Sequence, residues 1–200
     1  TSSSQAKKSL FRTLKDPAVS IEAAYALTNI GNSSIKKTID FTIGCWINPS
    51  SQQKNWATIV ANHGYSSGPP RGIVIEQMDD AVNTFRTAFG DGESFGQLGL
   101  AEPMINQWNH IAATRKGKTG TIYLNGKMVS ETEALSENPV FSSEKNFYIG
   151  NQALNPGNPI SGNQYFNGLI DEVFYSNKSL NQEQILTIMN KGLVNSLSLI

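Results

Sequence analysis

Residues 166–192, FNGLIDEVFYSNKSLNQEQILTIMNKG, decide the fold class. Residues 166–175 are mostly apolar, aromatic or β-branched, the composition of a strand with few solvent-directed positions, yet Asp171 and Glu172 stand in the middle of the run. Two carboxylates in such a strand need a reason. The remainder reads as a short helix: Asn181 caps it, Gln184 stands where a capping-box partner belongs, Ile185, Ile188 and Met189 share one face, and Gly192 stops it. Strand, turn and one-sided helix form a closing unit.

Upstream of that unit, strands dominate. Candidates are residues 10–14, 35–40, 41–48, 58–62, 72–77, 82–89, 108–115, 119–124, 127–133 and 147–150, with Gly, Pro, Asn and Ser clusters between them, notably 64–71, 90–96 and 153–163. Short strands at such spacing predict an all-β, antiparallel two-sheet sandwich carrying one C-terminal helix. In FTIGCWINP, alternation puts Phe41, Ile43, Cys45 and Ile47 on the core face and turns Trp46 away. Trp108 and His110 follow the same outward parity, while Ile111 and Ala113 face in. Asn125-Gly126 between two alternating runs predicts a two-residue hairpin turn with positive φ at both positions. Residues 1–8, Ser-rich with two lysines, read as a linker or disordered arm, and 9–200 as a single domain.

The motif G-L-I-D-E-V, an aromatic pair, a polar turn and L-N-Q-E-Q-I closely resembles the end of laminin-G-like and pentraxin-type jelly rolls in the concanavalin A-like lectin/glucanase superfamily. Three further motifs agree in the right order: FTIGCWINP, then WNHIAATR at 108–115, then YLNGK at 123–127, with FYIGN at 147–151 completing the series. The resemblance spans roughly residues 40–192, and residues 23–34 are only loosely similar to the family's opening strand. It implies a concanavalin A-like jelly roll. It also implies that Asp171 occupies a position at which some members supply an oxygen to calcium. Calcium takes six to eight oxygens, so one carboxylate does not make a site, and the alternative is that Asp171 accepts amide hydrogen bonds that pin the closing strand. Alternation turns Glu172 to the opposite face, away from any paired site.

Composition narrows the function. Lys plus Arg and Asp plus Glu number 16 each in 200 residues, so the net charge is zero and there is no electrostatic footprint for nucleic acid or an anionic membrane. No apolar run reaches the roughly 18 residues of a membrane span. The single cysteine, Cys45, excludes an intrachain disulfide and a Cys-based zinc site, and its parity makes it a small buried hydrophobe. Asn32 and Asn177 lie in N-x-[ST] sequons. A polar, weakly charged surface suits hydrogen bonding to neutral polyols. The chain's abrupt ends are expected of a module from a larger secreted or surface protein.

Catalysis lacks its residues. The E-x-D-x-x-E strand of retaining glycosidases on this fold is absent, Glu76 and Asp79 having the wrong spacing, and neither His63 nor His110 stands near a recognisable nucleophile. Sugar recognition would need an aromatic platform ringed by amides, hydroxyls or guanidinium groups. Trp56, Asn62, His63, Tyr65 and Arg71, in and beside the loop 64–71, form the first candidate cluster, because loops on a rigid sandwich carry function. Arg86, Phe95 and Gln97, with Asp91 and Glu93, form a second rim. The sequence therefore predicts a non-catalytic, lectin-like module that takes a glycan or glycoprotein, outside the cell or on its surface, with calcium as a candidate cofactor. A protein partner or a neighbouring domain bound by the same sandwich is the alternative.

Overall fold

The computed structural model describes residues 26–27, 40–62, 71–78, 83–133, 148–150, 164–196 and 198–199. Among the described residues eleven strands make two sheets: β1 (Ala26–Leu27), β2 (Phe41–Pro49), β3 (Thr58–Ala61), β4 (Arg71–Gln77), β5 (Phe85–Asp91), β6 (Phe95–Ala101), β7 (Asn109–Lys116), β8 (Thr119–Leu124), β9 (Lys127–Thr132), β10 (Tyr148–Ile149) and β11 (Gly168–Ser176). One sheet has the order β1-β10-β3-β4-β5-β6, the other β11-β2-β7-β8-β9. The strand pairs are antiparallel, so the expected jelly-roll sandwich is the fold. The candidate strands at 10–14 and 35–40 fall outside the described residues, apart from Asp40.

Alternation fills the space between the sheets. Phe41, Ile43, Cys45 and Ile47 of β2 meet Ile73 and Ile75 of β4, Phe85 and Phe89 of β5 and Ile111 of β7, all buried in one cluster. Burial raises the Cys45 thiol to about 12, which makes it inert as a nucleophile. Asn125 and Gly126 both adopt positive φ, 50° and 76°, as the hairpin reading requires.

One strand lies where the sequence signalled a turn. β5 runs on to Asp91 and β6 begins at Phe95, so the 90–96 cluster shrinks to a tight connection. The glycines of FGQLGLA are there for packing: a Cβ on Gly96 would stand 2.6 Å from the Phe89 ring, and one on Gly99 would stand 2.6 Å from Ile122 of the facing sheet.

The closing unit forms as predicted, with one correction. Asn181 Oδ1 accepts from the Gln184 N–H at 2.9 Å while Gln184 Oε1 accepts from the Asn181 N–H, and the helix α1 (Gln182–Lys191) follows. Ile185 and Ile188 pack with Ala112, Tyr123 and Phe174 on the outer face of the five-stranded sheet. The strand before it does not alternate through its acidic pair. Ile170 and Val173 both enter the core with two residues between them, because register shifts between Asp171 and Phe174 and Glu172 takes φ 46°, a β-bulge. The bulge sends Glu172 to the helix side, where its Oε2 accepts from the Leu193 N–H at 3.1 Å. The expectation that Glu172 faces opposite to Asp171 fails for that reason.

Candidate functional site

The two outer faces of the sandwich are finished differently. On the outer face of the five-stranded sheet, Trp46, His110 and Phe174 form an aromatic row whose Phe174 packs with α1: the Trp46 and His110 rings meet edge-on at 5.3 Å, and His110 is stacked on Phe174 at 6.4 Å. Gly44 makes this possible, since a Cβ there would stand 2.6 Å from the Phe174 ring. His110 is 1% exposed, and burial lowers its pKa to about 4, so its imidazole is neutral at physiological pH. The outward Trp46 is thus half-buried against its neighbours.

On the six-stranded sheet, register identifies the residues that face away from the core. Thr58 opposes Glu76, Ala61 opposes Val74, Glu76 opposes Arg86, Val74 opposes Ala88, Arg86 opposes Leu100 and Ala88 opposes Gln97. Paired residues share a face, so these form one surface across β3, β4, β5 and β6. It has two parts. Ala61, Val74 and Ala88 make a small apolar cluster onto which Phe95 packs. Beside it, Glu76 is 0% exposed and its Oε1 accepts from Arg86 Nε at 2.9 Å and Nη2 at 2.6 Å. Arg86 in turn lies 4.6 Å from the ring centroid of Trp56, within cation–π range.

Trp56 is placed by its backbone. It has φ 60°, a conformation uncommon for a bulky residue, and the surroundings fix it there: the Ala57 N–H donates to Lys54 O at 3.0 Å, Thr58 Oγ1 donates to Trp56 O at 3.0 Å, and the Gln77 N–H donates to Ala57 O at 2.9 Å. The indole, half-buried, therefore stands at the end of the Glu76–Arg86 pair on a braced turn.

The candidate residues accordingly regroup. Trp56, from the first cluster, joins Arg86, Phe95 and Gln97, from the second, on one face. Asn62 serves the sheet, its Oδ1 accepting from the Ile73 N–H at 2.7 Å and so extending the β3–β4 ladder. Arg71 opens β4 opposite Asp91. His63 and Tyr65 lie outside the described residues. Glu76 is the residue that sequence reasoning underrated: weighed only as half of a catalytic pair, it is the buried counter-ion that orients Arg86. The signal was its outward parity in RGIVIEQ, directly across from an outward Arg in FRTAFGD.

Asp171 is half-buried opposite Trp46, and its Oδ1 accepts from the Glu172 N–H at 2.7 Å. Among the described residues no group of three or more His, Cys, Asp or Glu side chains could hold a metal. Glu172, the nearest carboxylate in sequence, is committed to Leu193. Asp171 by itself supplies at most two of the six to eight oxygens that calcium takes.

Comparison with known proteins agrees with the geometry. A laminin-G-type family model, described as concanavalin A-like lectin/glucanases superfamily, matches residues 22–186, and the chain belongs to that family. The match starts upstream of residue 40, and so takes in β1. A Bacteroides ovatus protein titled a "putative carbohydrate binding protein" shares 18% identity at a TM-score of 0.57, over 76% of this chain and 41% of that one. The heptameric SAP-like pentraxin of Limulus polyphemus shares 15% at 0.53, over 78% and 71%. Domain 4 of AbnA, an extracellular arabinanase of Geobacillus stearothermophilus, solved with arabinotriose, shares 18% at 0.54, over 77% and 68%. At these identities the likeness is one of fold. No individual curated protein matches by sequence. No helix among the described residues is long and apolar enough to cross a membrane.

Proposed function

We propose that this chain is a non-catalytic carbohydrate-binding module of a secreted or surface protein, and that the outer face of its six-stranded sheet around Trp56 is where a glycan docks. The observation that carries the reading is the indole of Trp56, braced by its turn and backed by the Arg86 guanidinium at 4.6 Å. An aromatic ring held against a guanidinium, with the Gln97 carboxamide on the same face, is a combination that meets a sugar's apolar ring face and its hydroxyls together. Glu76 is tied to Arg86 rather than to a second carboxylate, which fits binding better than glycoside hydrolysis. The fold relatives include a protein titled a "putative carbohydrate binding protein" and a domain solved with arabinotriose, which supports the same reading.

Glycan-array binding by the purified chain, repeated with Trp56→Ala, tests the proposal. Binding that falls at least tenfold in the variant supports it. A wild-type array silent across broad glycan classes refutes it.

A protein partner is the second reading, and β9 favours it. Among the described residues this strand is one of the two edges of its sheet, and Met128 and Val129 on it are exposed. A pull-down retained after Trp56→Ala and insensitive to sugar would turn the assignment that way.

A further inference from the structure

We infer that the glycan taken at the Trp56 face is uncharged, and that the site discriminates against sugars carrying a carboxylate. This rests on the sugar-binding reading above and deepens it. Proteins commonly hold an acidic group with an arginine whose planar fork offers it two parallel N–H donors. Arg86 carries the guanidinium of this face, but Nε and Nη2 are both directed at Oε1 of Glu76. The plane of the group is fixed from the other side by the Trp56 ring. An acidic sugar would have to compete with an internal carboxylate that is already in place.

Burial decides that competition. Glu76 is 0% exposed, whereas the Arg86 side chain is 15% exposed, so the guanidinium can meet a ligand but the carboxylate cannot meet solvent. Drawing Arg86 towards a second anion weakens its pairing with Glu76, and a buried carboxylate parted from its cation is strongly unfavourable. Besides Arg86, the face offers the indole, the Gln97 carboxamide and Leu100, which is 36% exposed opposite Arg86. Those groups suit a neutral polyol with apolar ring faces.

The test is a binding series on the full chain, using neutral oligosaccharides each paired with its sialylated or uronic-acid counterpart. Wild type should bind the neutral member at least tenfold more tightly. Glu76→Gln keeps the shape of the side chain but leaves the Arg86 charge uncompensated, so it should shrink that ratio at least tenfold, with folding checked by its thermal transition. The wild-type ratio needs no variant, so the inference remains open to refutation even if Glu76→Gln does not fold. Tighter binding of the acidic members by wild type, or a ratio unmoved in folded Glu76→Gln, overturns it. Binding without any discrimination sinks this inference alone, while no binding to any probe sinks the sugar-binding reading beneath it.

Discussion

Mild acid should destabilise this protein through one residue, His110. Its ring is 1% exposed between Trp46 and Phe174, and its Nδ1 is buried without a hydrogen-bond partner to stabilise an imidazolium. An unfolded chain protonates this imidazole near pH 6.5, the folded protein only near 4, so unfolding takes up a proton throughout that window. Stability therefore falls as the pH is lowered from 6.5 towards 4 and levels off below. At about 1.4 kcal/mol per pH unit for one proton, the loss is roughly 3 kcal/mol, a large part of a typical domain's margin. Urea unfolding at pH 7 and at pH 4, on wild type and on His110→Phe, isolates the effect, because carboxylate titrations are common to both proteins. The gap between the two should change by roughly 3 kcal/mol across the window. With only two histidines in the chain, an NMR titration reads the same proton directly, and one imidazole should hold out to about pH 4. A gap that stays constant, or two imidazoles titrating together near 6.5, would refute the buried-stack account of this face.

Other perturbations probe the remaining joints. Gly44→Ala drives a methyl into the Phe174 ring and should cost about 1–3 kcal/mol in chemical unfolding, with His110 losing its abnormal titration. Glu172 has its carboxyl pKa raised above 4.5, chiefly by burial, so its favourable contribution is complete below 4.5 and is lost as the pH rises through the raised value. Glu172→Gln should remove that decline while keeping an acceptor for the Leu193 N–H, and melts between pH 4 and 8 would show it. Asp171→Ala should cost on the order of 1 kcal/mol, the net worth of the hydrogen bond that Asp171 accepts from the Glu172 N–H, equally with calcium and with chelator. A calcium-dependent rise in Tm that the substitution abolishes would instead make Asp171 a ligand.

The sandwich was legible because its signals are local. The period-two pattern of FTIGCWINP, the Asn125-Gly126 turn and the Asn181 capping box each specify their own backbone, and all three formed. β6 was not legible, since Gly96 and Gly99 look like turn residues until Phe89 and Ile122 are seen occupying the space their side chains would need. The bulge at Glu172 was hidden for a similar reason. Alternation assumes an unbroken ladder, and only the pull of Leu193 on that carboxylate and the entry of Val173 into the core explain the break. The candidate site was half visible. Trp56 and Arg86 stand out as residue types, but their contact depends on how β3, β4 and β5 align, and the role of Glu76 depends on its burial.

The most direct test of the central claim is to map a bound oligosaccharide by NMR shift perturbation on the isotope-labelled chain. The account predicts that the largest changes fall on the Trp56 indole, Arg86 and Gln97, leaving α1 and His110 unmoved. Changes centred instead on α1, on the Trp46–His110 stack or along β9 would contradict it.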